Sequence, residues 1–261
     1  MQPQHVVERH LIFRARPPIG LENLPSGGGS QGVVPPEVQR TRQMLGGNLY
    51  FIQLVSKVRS GKGTGKNGHG EYSTQTAASN GDGHEDPAPK WAIEFRDTPE
   101  PGKQAATVRL MSRSVVDGGD AVGFVQNLGF EYALSLGTLA DCPLTPNRYV
   151  SQYVLEGHKF YDQDTTLFLY HVLQVPKATD EQLGEANNLS RVISELQPLD
   201  ASHGYVLQAS IEAVDGNNPD LKDKAVQQLL SMKETLKQAV VLAPGDRLAL
   251  DTKVSTRNAR P

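Results

Sequence analysis

Wherever the chain carries a pattern, apolar and polar residues mostly alternate with a period of two. Leu11, Phe13 and Ala15 alternate with His10, Ile12 and Arg14, and Trp91, Ile93 and Phe95 alternate with Ala92, Glu94 and Arg96. Val108 and Leu110 alternate with Thr107, Arg109 and Arg113; Phe130, Tyr132, Leu134 and Leu136 alternate with Glu131 and Ser135. Late in the chain, Tyr205, Leu207, Ala209, Ile211 and Ala213 face one way while Gln208, Ser210 and Glu212 face the other. Side chains two apart share a strand face, so each segment offers one apolar row to a core. The apolar-rich stretches 49–57, 150–155 and 165–175 bring the expectation to about eight strands. The reading is a mostly β (α+β) chain: short antiparallel strands in a closed barrel or a sandwich, with flanking helices. The apolar rows are the ones expected to fill its interior.

Period 3.6 takes over twice. Asp120 is an N-cap candidate, Ala121, Phe124, Val125 and Leu128 form a stripe, and Gly129 suits the stop. A longer helix is expected over about 219–241: Asn218 caps it, Pro219 takes the first helical position and Asp220 sits in the first turn. Leu221, Ala225, Leu229, Met232, Leu236 and Val240 recur along one face. A shorter helix is expected within 181–195.

Two stretches break the pattern. Residues 17–47 hold the pairs Pro17-Pro18 and Pro35-Pro36 and the run Ser26-Gly27-Gly28-Gly29-Ser30, and residues 58–89 hold almost no large apolar side chain. Such composition cannot offset the entropy of ordering, so both are expected to be long disordered inserts within a single domain spanning 1–261. Charge narrows the function. With 26 Lys and Arg against 29 Asp and Glu, a net −3 argues against bulk nucleic-acid binding. Lys57, Arg59, Lys62 and Lys66 are too few, and too close to Glu85 and Asp86, to reverse that. The longest apolar run, near 239–243, is far short of the ~20 residues of a membrane span. No basic-then-apolar leader follows Met1, so a soluble intracellular protein is expected.

Candidate chemistry is sparse. The run 61–68, Gly-Lys-Gly-Thr-Gly-Lys-Asn-Gly, fails the phosphate-loop pattern because Asn67 follows Lys66. Cys142 stands alone, and the seven histidines show no metal-ligand spacing on one helix, so no metal or cofactor is expected. A barrel that hydrolyses triphosphates, the alternative function, needs inward carboxylates at i and i+2 on strands and an inward basic cluster. Arg109 and Arg113 share a strand face, but the one acidic i, i+2 pair is Asp162/Asp164, in a turn. No catalytic residue is expected. Phe168 and Tyr170 alternate with Leu167 and Leu169, giving a strand with large side chains on both faces. Either the 219–241 helix covers the second face, or a partner does; Phe168 and Tyr170 are therefore the candidate partner-interface residues.

The segment 124–162, FVQNLGFEYALSLGTLADCPLTPNRYVSQYVLEGHKFYD, resembles the Mediator subunit 18 family, from the head module of the RNA polymerase II coactivator. Glu156-Gly157-His158-Lys159-Phe160 is its most diagnostic piece. The likeness extends to the 167–175 strand, the late strand 205–214, the helix from Pro219 and the tail from Arg247, and upstream to HLIFRARPP, LYFIQLVSKV and KWAIEFRD. It suggests a filamentous-fungus-like member that lacks the strand and helix ordinarily preceding Met1, which leaves the barrel incompletely closed. The resemblance implies an antiparallel β-barrel without catalytic residues, acting in the nucleus as a coactivator scaffold. The partners it implies are Mediator subunit 20, the C-terminal helix of Mediator subunit 8, the rest of the head module and RNA polymerase II.

Overall fold

Strand β1, Gln4–Ala15, is the hub of the fold. In this computed structural model, which describes residues 2–16, 24, 34–46, 49–58, 90–102, 105–117, 119–132, 152–175 and 195–254, it is flanked by β2 (Phe51–Val58) on one side. On its other side run β6 (Gln152–Asp162) and, beyond its end, β5 (Phe130–Tyr132). The sheet continues outward from β2 through β3 (Trp91–Arg96) to β4 (Met111–Val116). From β6 it continues to β7 (Thr165–Gln174), whose far edge takes both β8 (Gln197–Pro198) and β9 (Val206–Ile211). All nine strands pair antiparallel. Residues 6–11 of β1 are buried without a break, so the central strand is covered on both faces rather than one.

Three helices accompany the sheet among the described residues: α1 (Pro36–Gly46), α2 (Ala121–Asn127) and α3 (Pro219–Leu236). The expected caps are in place. Asp120 accepts from the Gly123 amide (2.9 Å), and Gly129 takes φ +90°, which suits glycine. Asn218 accepts from Asp220 (3.0 Å) and Leu221 (3.4 Å).

Three expectations are corrected. The stretch 17–47 was expected to be loop throughout, but its end is α1: Pro36 begins the helix, where a missing amide costs no bond, and Glu37 suits the first turn. Residues 107–110 are not a strand. The amides of Asp97 and Glu100 donate to Leu110 and Val108 (2.9 Å each), an irregular extension of the β3–β4 hairpin before β4 begins at Met111. The long helix ends at Leu236 rather than near 241: Lys237 is its C-cap, its amide on Glu234 O (3.3 Å), and the Ala239 amide closes a tighter three-residue turn on Leu236 O (2.8 Å). Val58, the expected start of the second insert, is the last residue of β2; residues 59–89 of that insert, the 181–195 helix up to residue 194, and Leu134 and Leu136 lie outside the described residues.

The sheet rolls on itself. Lys222, in the helix reached directly from β9, pairs with Glu100, just beyond β3 (2.6 Å), and a β-carbon at Gly216 would lie 3.8 Å from Leu110 Cδ1. Chain leaving the β9 edge therefore meets chain entering the β4 edge. The tail fastens the same side: Phe51 N donates to Thr252 O (2.8 Å), Thr252 Oγ1 to Arg96 O (2.6 Å) and Arg247 Nε to Pro99 O (3.0 Å). Among the described residues β4 pairs only with β3 and β9 only with β7, so the barrel-like roll is open along one seam.

Candidate functional site: the polar inner face

Register decides which residues share a face. On one face, Leu11, Phe13, Ile52 and Leu54 are buried with Ala121 and Val125 of α2, and Trp91, Ile93 and Phe95 pack against them. On the other face stand Glu8 and His10 of β1, Gln53 of β2, Glu94 and Arg96 of β3, Arg113 of β4, Tyr153 and Lys159 of β6, and Phe168 and Tyr170 of β7. The charge of Arg96 acts on both Tyr153 and Tyr170. In a flat sheet β3 and β7, four strand spacings apart, would lie ~19 Å from each other. The curl brings them together, so the polar face is the inside. The apolar rows expected to fill the interior lie instead on the outer face, partly under α2. Two-sided burial of β1 explains the inversion: both of its faces are covered, so apolarity alone does not mark the inner one.

The inner charges are organised in two groups. Glu8, which is 7% exposed, accepts from Lys159 Nζ (2.7 Å), and its other oxygen lies 3.8 Å from His10 Nε2. Burial alone would raise the Glu8 pKa; the facing His10 and the hydrogen bond and charge of Lys159 outweigh it and lower the value to about 2. His10 stacks on Tyr153 (4.8 Å between ring centres), and its Nδ1 lies 3.2 Å from Gln53 Oε1, which also accepts from the Tyr153 hydroxyl (3.4 Å). In the second group, Glu94 is held by Arg96 (2.7 Å) and Arg113 (3.4 Å). Arg109 joins them: burial first, then the neighbouring Arg96, lowers its pKa. Burial also raises both Tyr153 and Tyr170, so these phenols keep their protons well past neutral pH.

The two expected interface residues are both on this face, in unequal settings. Phe168 is 6% exposed; its ring lies 4.5 Å from that of Tyr170 and 4.6 Å from Lys159 Nζ. It is a core side chain and the platform under the lysine that holds Glu8. Tyr170 is half-buried and lies across β6 from Gly157. The sequence pattern does not single out Glu8, His10, Gln53 and Lys159; the available signal is Glu8 and His10, two polar residues two apart on one face of β1. Neither inner carboxylate belongs to an i, i+2 acidic pair, and each is already matched to cations. Among the described residues no three His, Cys, Asp or Glu side chains group as metal ligands.

The Glu8 pairing predicts a specific acid response. A carboxylate held below its ordinary value of 4.5 contributes stability that is full above that pH and is lost as pH falls toward about 2. The contribution is on the order of 3 kcal/mol. In Glu8→Gln the acid limb of unfolding, followed by fluorescence, is expected to flatten between these values, and neutral-pH stability to drop by a comparable amount. An unchanged limb would show that other carboxylates carry the acid sensitivity.

A rolled antiparallel sheet with an open seam defines the class: an antiparallel β-domain. The Med18 protein family model matches residues 1–135 and 145–253. The protein named Mediator of RNA polymerase II transcription subunit 18 from Coccidioides immitis is 39% identical over 260 residues, 97% of this chain and 90% of that protein. Its counterpart from Aspergillus niger is 34% identical over 97% of this chain and 89% of its own length. A chain in the structure of the Schizosaccharomyces pombe Mediator head module shares the fold, with a TM-score of 0.54 at 15% identity over 94% of this chain and 86% of that one. The chain belongs to the Med18 protein family, whose members are non-catalytic structural subunits of Mediator.

Proposed function

We propose that the chain works in the nucleus as a structural subunit of the Mediator head module, pairing with Mediator subunit 20 and with the C-terminal helix of subunit 8 and, through that module, serving RNA polymerase II. The observation that carries this reading is the open seam. Both sheet edges there present unpaired backbone among the described residues, and large apolar side chains stand exposed beside them: Leu110 (60%) and Val115 (68%) near β4, Tyr205 (60%) and Val206 (46%) at β9. Exposed edges and apolar anchors are what a partner strand or helix uses. Tyr170, still part-exposed on β7, is the member of the expected pair retained for this surface. Phe168 supports it from within.

The test is co-expression of the full chain with its own organism's subunits 20 and 8. A stoichiometric complex is expected. Tyr170→Ala and Val115→Asp should each weaken recovery while leaving the circular dichroism spectrum unchanged. A chain that is folded but recovers neither subunit would refute the pairing.

A further inference from the structure

We propose that Arg96, Arg109 and Arg113, together with the phenols of Tyr153 and Tyr170, form a binding site for a phosphate group inside the roll. The β3–β4 hairpin fixes the geometry. Glu94 pairs with Arg113 and Arg96 with Met111 across the ladder, and the Asp97–Leu110 hydrogen bond carries the alternation on, which puts Arg109 on the same face as Arg96. Three guanidinium groups therefore share one inward patch with a single described carboxylate, Glu94, which is already paired with two of them. Among the described residues the charges do not close.

Two nearby carboxylates, one beyond β3 and one in the tail, are engaged elsewhere. Glu100 pairs with Lys222 (2.6 Å), while Asp251 accepts from Thr98 Oγ1 (2.8 Å) and the Lys253 amide (3.0 Å). Among the described residues Arg109 makes no ion pair or hydrogen bond, although it is half-buried beside another cation. Crowding like charges in a partly dry site is unfavourable unless an anion joins them. The donors suit a phosphate: planar guanidinium forks bind its oxygens in pairs, the protonated phenol of Tyr170 adds a single donor, and that of Tyr153 adds one in exchange for its long bond to Gln53 Oε1 (3.4 Å). Tyr153 and Tyr170 lie on the facing strands and share the field of Arg96. The site binds; it has no nucleophile or matched acid–base pair, and it goes beyond the scaffold role.

The experiment is thermal unfolding of the full chain in inorganic phosphate, with chloride holding ionic strength constant. At ten times its Kd, phosphate is expected to raise the midpoint by about 3–6 °C. Arg109→Met should abolish that rise and, without phosphate, unfold no lower than the parent, since it removes an uncompensated cation. Arg113→Gln, at a more exposed position, is the second variant and should reduce the rise while preserving the fold. A rise that survives in both variants is the general salt effect and overturns the proposal, as does an equal response to acetate. A peptide carrying phosphoserine, compared with its unphosphorylated form, identifies the source: tighter binding than inorganic phosphate assigns the group to a modified chain, and binding of inorganic phosphate alone assigns it to a small ion.

Discussion

Gly157→Ala is expected to destabilise the fold by about 3 kcal/mol or more, beyond the usual range for adding one methyl group to a packed site. Gly157 is buried in β6, directly across from Tyr170 in β7. A β-carbon there would lie 2.1 Å from Leu169 O, 2.6 Å from Tyr170 Cα and 2.8 Å from Tyr170 Cβ. Two of these three atoms are oxygen and carbon of the paired backbone, which cannot rotate aside as a side chain can. Relief requires β6 and β7 to separate, at the expense of ladder hydrogen bonds on both sides. The same movement displaces Tyr170 and disturbs the inner face. Chemical denaturation of the alanine variant checks this. A midpoint within experimental error of the parent would show that the two strands can part without loss, and the close approach would then have no structural weight.

Phe168→Ala is expected to cost about 4 kcal/mol, in the usual range for deleting a buried phenyl ring, or roughly 10 °C in midpoint. Two losses combine. The ring's burial and its contact with Tyr170 disappear, and Lys159 loses the surface over which it is held while it donates to Glu8. The substitution should therefore weaken the acid limb attributed to Glu8, and its effect should not add to that of Glu8→Gln. The outcome separates two roles. A stable Phe168→Ala chain that fails to recover subunits 20 and 8 would make the residue a partner contact. A destabilised chain, with Tyr170→Ala losing the partners while keeping the fold, would divide the pair into support and surface.

Much of the architecture was legible in local order. Alternation placed β1, β3, β5 and β9 because an apolar row every second residue has one use, to cover a sheet face, and apolar-rich runs placed β2, β6 and β7. Asp120 and Asn218 announced α2 and α3 because their side chains satisfy amides at helix starts whatever the rest of the chain does. The misreadings have local causes too. Pro35-Pro36 signals both loop and helix start, and only the bonded turns after Pro36 distinguish them. Residues 107–110 alternate like a strand but belong to the irregular end of a hairpin.

By itself, the sequence determined an antiparallel β-domain with a capped C-terminal helix, the absence of an acidic i, i+2 strand pair, and the residues that carry the family likeness. It could not determine which face of the sheet turns inward. Period two separates residues into two sets without saying which set is inside, and β1 is buried on both sides. Only the tertiary structure decided that the roll encloses Glu8, His10, Glu94, Arg96, Lys159 and Phe168. The physical reason is that curl, strand order and register are set by contacts far apart in sequence: Lys159 reaches Glu8 across 151 residues, and Thr252 reaches Arg96 across 156.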